Sequence, residues 1–390
     1  MIDFDFISPT KIYFGNNKEE QIGQICLDGG YKRVYIVIGQ GSVKRNGLLE
    51  RVLESLDASG VKYQILEGVR VNPTIDLCHK GIEEARVFAP NLVLAIGGGS
   101  VIDTAKNIAV GYFYSGDSFD FNLHKAKPSK ALPVGVILTI AASGSELSNS
   151  CVIQDDATGI KSGFNNDIVR PVFAIENPKL TYSLSKIQTA YGIVDIMMHT
   201  LERYFGASDD NEPADYFAEG VLKSVIKAAK VVNDNPMDYD ARAVLMLMSS
   251  FSHNDLTSIG KKKMLFVHQL EHAVSGLYPQ VVHAAGLAVL FPAWAKYYVN
   301  YDTGKFDKLA TNVFDLHNKN KLENAKAGIK EIEKLFALLS MPTSFKDLGI
   351  ENPDIERLTN IVTSNGARII EHPAKNMNQE VVKTIYKNCL

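Results

Sequence analysis

The feature that most constrains this chain is a change of pattern near residue 180. Before it, short continuous apolar runs alternate with helical patterns; after it, the strand signal stops. "RVYIVI" (33–38), a run near 61–67, "NLVLAI" (91–96), "VGVIL" (134–138) and "VFAIE" (172–176) read as buried strands. Helices near 46–58, over 74–88 and from Ser100 separate the first four of these strands. Uninterrupted apolar strands alternating with helices specify a parallel sheet covered on both faces. Beyond 180, "SKIQTAYGIVDIMMHTLERYF" opens with Ser185 and Gln188 at capping-box spacing and continues in helical period. In 321–340, Leu322, Ala325, Ile329, Ile332, Phe336 and Leu339 form an amphipathic stripe. A chain of 390 residues exceeds what one core usually supports. The expectation is an α/β domain over 1–180 followed by an all-α domain over 181–390, with a ligand site between them.

Composition narrows the function classes. With 41 basic and 44 acidic residues, nothing draws the chain toward nucleic acid or an anionic membrane. Cys26, Cys78, Cys151 and Cys389 are scattered, which fits a reducing cytoplasm and neither a disulfide framework nor a zinc–thiolate site. The start, MIDFDFISPTK, lacks the features of a secretory signal, and no apolar run is long enough for a membrane span.

"NLVLAI" runs directly into Gly97-Gly98-Gly99-Ser100. Three glycines let backbone approach a ligand closely, and the following helix start suits a diphosphate. Ser100 and Asp103 have capping-box spacing there. A plain strand-to-helix turn is the competing explanation, and the motif is not GxGxxG. A second turn, Gly39-Gln40-Gly41-Ser42, follows the first strand, and "LTIAASGSELS" (138–148) follows a later one. Ligands of open parallel sheets sit beyond the carboxyl ends of strands, so the turns together favour a nucleotide. The Gly39 turn contains no carboxylate to meet the ribose hydroxyls, and Lys44 and Arg45 lie just beyond. Small residues, the Ser42 hydroxyl and Lys44 would accommodate a 2′-phosphate, which favours NADP(H).

Three of the nine histidines fall within sixteen residues, "HQLEHAVSGLYPQVVH" (268–283). His268 and His272 share a helical face, and after Gly276 and Pro279 break that helix His283 begins the next. Asp195 and His199 are also four apart, on a helix apolar nearly all round, where an unpaired carboxylate is costly. One such pair alone would be an Asp–His hydrogen bond inside a core. Four imidazoles and a carboxylate on apolar helices favour a metal site. His79, His124, His253, His317 and His372 read as surface or ordinary core, and Lys261–Lys263 as a solvated turn.

Taken together, these segments resemble the iron-containing (group III) alcohol dehydrogenases over essentially the whole chain. "SPTKIYFG" (8–15) is similar to the family's N-terminal strand, "IGGGSVIDTAK" (96–106) to its diphosphate loop and "ASGSE" (142–146) to its nicotinamide-side loop. "YGIVDIMMHTLERYF" (191–205) and 268–283 resemble its metal segments. "IGQGSVKRNG" (38–47) and "MDYDARAVLMLMSS" (237–250) are most similar to the NADPH-dependent butanol dehydrogenase and aldehyde reductase branch. The resemblance implies a Rossmann-like domain before a helical metal-binding domain, the dehydroquinate synthase-like architecture.

It also implies that Asp195, His199, His268 and His283 hold one divalent metal, Fe2+ or alternatively Zn2+. His272 becomes a catalytic residue near the substrate. Gly97, Gly98, Gly99, Ser100 and Asp103 fall in the implied diphosphate segment, with Thr139, Ser143 and Lys161 lining the rest of the cofactor cleft. Gly39, Gly41, Ser42 and Lys44 would face the adenosine end. Tyr191 and Ile193 stand where the family carries smaller residues, and the gap from His272 to His283 is one residue longer than in that branch. The implied activity interconverts short aldehydes and primary alcohols in a cytoplasmic homodimer. A polyol dehydrogenase or dehydroquinate-synthase-like lyase shares the architecture, and a metal-dependent hydrolase shares the ligand cage.

Overall fold

The computed structural model describes residues 1–206 and 211–390. It separates into two compact units, Ile7–Leu184 and Ser185–Leu390 joined by Met1–Phe6. The first six residues go with the helical unit: the Ile2 N–H donates to the Gly260 carbonyl at 3.0 Å.

The first unit is built on eight strands: β1 (Lys11–Phe14), β2 (Arg33–Gly39), β3 (Lys62–Val69), β4 (Leu92–Gly97), β5 (Val134–Leu138), β6 (Ser150–Asp155), β7 (Ile160–Asn165) and β8 (Phe173–Glu176). Six form one sheet in the order β1-β8-β5-β4-β2-β3, with every pairing parallel. Val34–Ile38 and Leu92–Ile96 are wholly buried, as continuous apolar runs require of strands covered on both faces. The expected helices lie at Leu48–Ala58, Ile75–Phe88 and Gly99–Gly111. The antiparallel hairpin of β6 and β7 was not expected from the sequence. The Ser100–Asp103 capping box does not form: Gly98 occupies the N-cap position, and Asp103 turns inward instead.

The second unit is helical. Its Lys186–Phe205 helix does form the expected capping box, with Ser185 Oγ accepting from Gln188 N–H and Gln188 Oε1 from Ser185 N–H. Residues 192–205 of that helix are buried throughout. Beside it, Phe205, Phe266, Phe291, Trp294, Tyr298 and Phe306 pack ring against ring. Each such side chain contributes roughly 1.5–3 kcal/mol by leaving water. The Lys321–Leu338 helix buries Ala325, Ile329, Ile332 and Phe336, the core of the expected stripe, while Leu322 stays half-buried.

One expectation fails here. Lys261 is not solvated but buried, and it shares the Asp215 carboxylate with buried Lys305, each ammonium taking one oxygen. Burial, together with the Lys305 charge, pulls the Lys261 pKa down to about 8. A run of three lysines hides this, because tertiary contact alone separates Lys261 from exposed Lys262. No described helix is long and apolar enough to cross a membrane.

Candidate active site

In the sheet unit, β2 and β4 are neighbours, with Ile38 opposite Ile96. The chain leaves β2 toward β3 on one side and β4 toward β5 on the other. That is a topological switch point, the place where open parallel sheets collect ligands beyond their carboxyl ends. The turns Gly39–Ser42 and Gly97–Ser100 stand there. Gly41 has a left-handed φ of 96°, which a side chain would strain. At Gly98 a Cβ would lie 2.3 Å from Ile140 Cγ2, and at Gly99 2.4 Å from Ser143 Oγ. Packing against Ile140 of the loop after β5 therefore favours glycine at 98 whether or not a ligand binds, whereas the Ser143 hydroxyl beside Gly99 can rotate aside. The Thr139 N–H donates to the Gly97 carbonyl at 3.1 Å, so Thr139 and Ser143 both reach the glycine turn.

Asp103 and Lys106 anchor that loop from the helix beneath. Asp103 accepts from Ser145 Oγ at 2.6 Å and from the Val152 N–H at 3.0 Å. Lys106, fully buried, donates to the carbonyls of Ser145, Ser148 and Ser150 at 2.7–2.9 Å. Burial draws its pKa down to about 8, against the pull of Asp103. Asp103 thus shapes the loop rather than the helix start. Lys161 lies on β7, where its ammonium donates to Asn72 Oδ1 at 3.1 Å. Lys44, in the short helical turn after Gly41, is paired with Glu67 of β3.

In the helical unit, Asp195 and His199 project from the Lys186–Phe205 helix, His268 and His272 from Phe266–Leu277, and His283 from the start of His283–Tyr298. Asp195 Oδ1 lies 3.5 Å from His199 Nδ1, 3.8 Å from His268 Nε2 and 3.9 Å from His283 Nε2. Donors around a tetrahedral ion with bonds near 2.1 Å stand about 3.3–3.6 Å apart, so the cluster is close to that spacing. Buried Asp195 Oδ1, His199 Nδ1 and His268 Nε2 have no hydrogen-bond partner in the protein. Orphaned buried donors and acceptors are costly, and a divalent cation satisfies all three at once. The donor set fits a metal ion.

Two buried carboxylates back the imidazoles. Glu202 accepts from His268 Nδ1 and from the Val267 and His268 N–H groups, fastening the ring and the helix start together. Glu271 accepts from His283 Nδ1. Each bond leaves Nε2 as the lone-pair nitrogen directed toward Asp195, the usual carboxylate–histidine support of a metal ligand. Burial opposes protonation of His268, yet Glu202 and Asp195 outweigh it and lift its pKa to about 9. The field that would hold a proton there also favours a cation. His199 goes the other way, pushed down by burial and by the imidazoles of His253 and His268.

His272 stands edge-on to His268 with ring centroids 6.3 Å apart, and 5.6 Å from His283. Glu271, His272 and His283 also group their donor atoms within 4.8 Å, as Asp195, His199 and His268 do. His253, read from sequence as unrelated, lies against His199 with ring centroids 4.1 Å apart. Its place on another helix gave no spacing by which to find it. Glu202 and Glu271 had a usable signal: like Asp195, they are carboxylates on apolar helix faces and need partners.

Residues 9–178 match the iron-containing alcohol dehydrogenase family, and residues 189–390 match the C-terminal part of the Fe-containing alcohol dehydrogenase family. The chain belongs to the iron-containing alcohol dehydrogenase family. It is 39% identical to NADH-dependent butanol dehydrogenase A of Clostridium acetobutylicum, over 99% of both chains. With the NADPH-dependent aldehyde reductase YqhD of Escherichia coli it shares 31% identity over 94% of both. Its fold superposes on the NADH-dependent butanol dehydrogenase A structure from Thermotoga maritima with a TM-score of 0.95, at 32% identity, covering 100% of this chain and 99% of that one. Membership carries alcohol–aldehyde oxidoreduction with a nucleotide cofactor and a divalent metal.

Proposed function

We propose that the protein is a metal-dependent, NADP(H)-linked oxidoreductase of the cytoplasm, interconverting short-chain aldehydes and primary alcohols as a homodimer. The observation that carries the reading is the convergence of three imidazole nitrogens on Asp195 Oδ1. Asp195, His199, His268 and His283 are the residues to hold the ion, Fe2+ first and Zn2+ second by ligand chemistry. When bound, the metal supplies Lewis acidity toward the substrate oxygen, and the nicotinamide supplies or accepts hydride. The chain's own work is to orient and to move a proton. Glu202 and Glu271 fix the rings of His268 and His283. His272, beside both rings, passes a proton through its imidazole to the substrate oxygen during reduction and takes it back during oxidation. Aldehyde, hydride and proton balance to alcohol.

The NADP(H) assignment rests on the Gly39–Ser42 turn, which lacks a carboxylate and has Lys44 close behind. A second reading, NAD(H), draws support from the Glu67 carboxylate paired with Lys44 and from the NADH-dependent names of relatives at 39% and 38% identity. The test is a panel of aldehydes with NADPH and NADH, on protein reconstituted with each metal, reading kcat/KM. A ratio above one for NADPH over NADH, reversed by Gly39→Asp, is expected. A ratio below one in the wild type selects NAD(H), and no turnover with either nucleotide removes the oxidoreductase reading.

A further inference from the structure

The carboxyl end of β3 adjoins the Gly39 turn: Gly39 pairs with Val69, after an irregularity in register between Val37 and Gly39. Glu67 sits two residues before that end, and its carboxylate is the partner of Lys44. A dinucleotide whose diphosphate rests on Gly97–Ser100 after β4 crosses the switch point toward β2 and β3, so its adenosine ribose arrives among these residues. Of the other cations nearby, Arg70 is paired with a carboxylate and Arg45 is not. Arg70 is held by both Asp156 oxygens at 2.5 and 2.6 Å, and Arg45 turns to the Gln40 carbonyl at 3.5 Å.

We propose that Glu67 sets the discrimination between the two nicotinamide nucleotides by occupying Lys44, the ammonium a 2′-phosphate would need. The inference rests on the nucleotide reading above but not on which nucleotide wins. The side chains of Lys44 and Glu67 are 45% and 50% exposed, so the pair itself is weak and can be exchanged. A 2′-phosphate entering here must displace a carboxylate from Lys44 and then remain beside that negative charge. A ribose with a free 2′-hydroxyl does neither, and the pair stays intact. Glu67 therefore penalises NADP(H) selectively, from a neighbouring strand rather than from the turn where a discriminating acid is usually sought.

The experiment is titration of NADPH and NADH into the purified metal-loaded protein without substrate, following nucleotide fluorescence. Wild type, Glu67→Gln, Lys44→Met and the double variant are compared. Glu67→Gln is expected to shift the ratio of the two Kd values about tenfold toward NADPH, and to make NADPH binding fall more steeply with salt. Lys44→Met is expected to shift the ratio the other way, and to remove most of the Glu67→Gln effect in the double variant. An unchanged ratio in Glu67→Gln, with both nucleotides still bound, overturns the role of Glu67. A full shift persisting without Lys44 overturns the pairing as its cause. Failure of the wild type to bind either nucleotide overturns the nucleotide reading instead, so the two failures are distinguishable.

Discussion

The sheet unit and the helical unit build their candidate sites from opposite materials. Around Gly97–Gly99 the chain offers bare backbone, crowded at Gly97 by Val101 of the following helix and at Gly98 by Ile140 of the loop after β5. Around Asp195 it offers side chains, two of them held by another side chain: His268 by Glu202, His283 by Glu271. A backbone site is disturbed by adding atoms, and a side-chain site by removing them. Substitutions at the two places should therefore fail differently.

The largest expected effect is at the ligands. His268→Ala removes one donor from the cluster and should weaken metal binding on the order of 10³-fold or more, beyond the loss of an outer partner. Elemental analysis of the folded variant checks this, and undiminished Fe and Zn would sink the ligand assignment. His272→Ala sharpens the contrast within the same unit. Metal content should hold while turnover drops roughly 10²–10⁴-fold, the usual worth of a positioned proton donor. If metal and activity fall together, His272 belongs among the ligands.

Glu202→Gln keeps the shape of the support and removes its charge. Metal affinity should fall roughly 10–100-fold, measured by competition with a chelator of known affinity. An unaltered affinity would show that the charge of Glu202 is not needed to support the site. In the other unit, Gly98→Ala should cost roughly 1–3 kcal/mol through crowding of Ile140. The expected signature is lower thermal stability and weaker nucleotide binding with metal content unchanged. Lost metal in Gly98→Ala would break the comparison, because the two sites would then not be separately built.

The same contrast decides what could be read in the sequence. β2, β4 and β5 were legible because a strand buried on both faces must be apolar without interruption. The β6–β7 hairpin was not: "SCVIQDDATGIKSGFN" is too polar for that pattern, and its buried Cys151, Ile153 and Phe164 cluster with Phe119 and Phe121, while Asn122 donates to the Cys151 and Ser162 carbonyls. The i, i+4 pairs brought out Asp195, His199, His268 and His272, since a helix places them on one face. His253 and Lys106 escaped because their importance lies in partners far along the chain. Asp103 was noticed for a local role it does not fill, and its contacts are instead with Ser145 and Val152. Local pattern predicted the local bond at exposed Ser185 and Gln188 and missed at Asp103, because buried polar residues spend their bonding capacity at long range.

The placement of Met1–Phe6 has a consequence for taking the molecule apart. The chain passes from helical unit to sheet unit at residue 7 and back at 185, so in topology the sheet unit is an insertion into the helical one. A single proteolytic nick between Leu184 and Ser185 leaves the opening segment on the other fragment, where Ile2 still reaches for Gly260. Dividing the sequence at 180, the natural cut by its pattern, strips the helical unit of its own opening segment, Met1–Phe6.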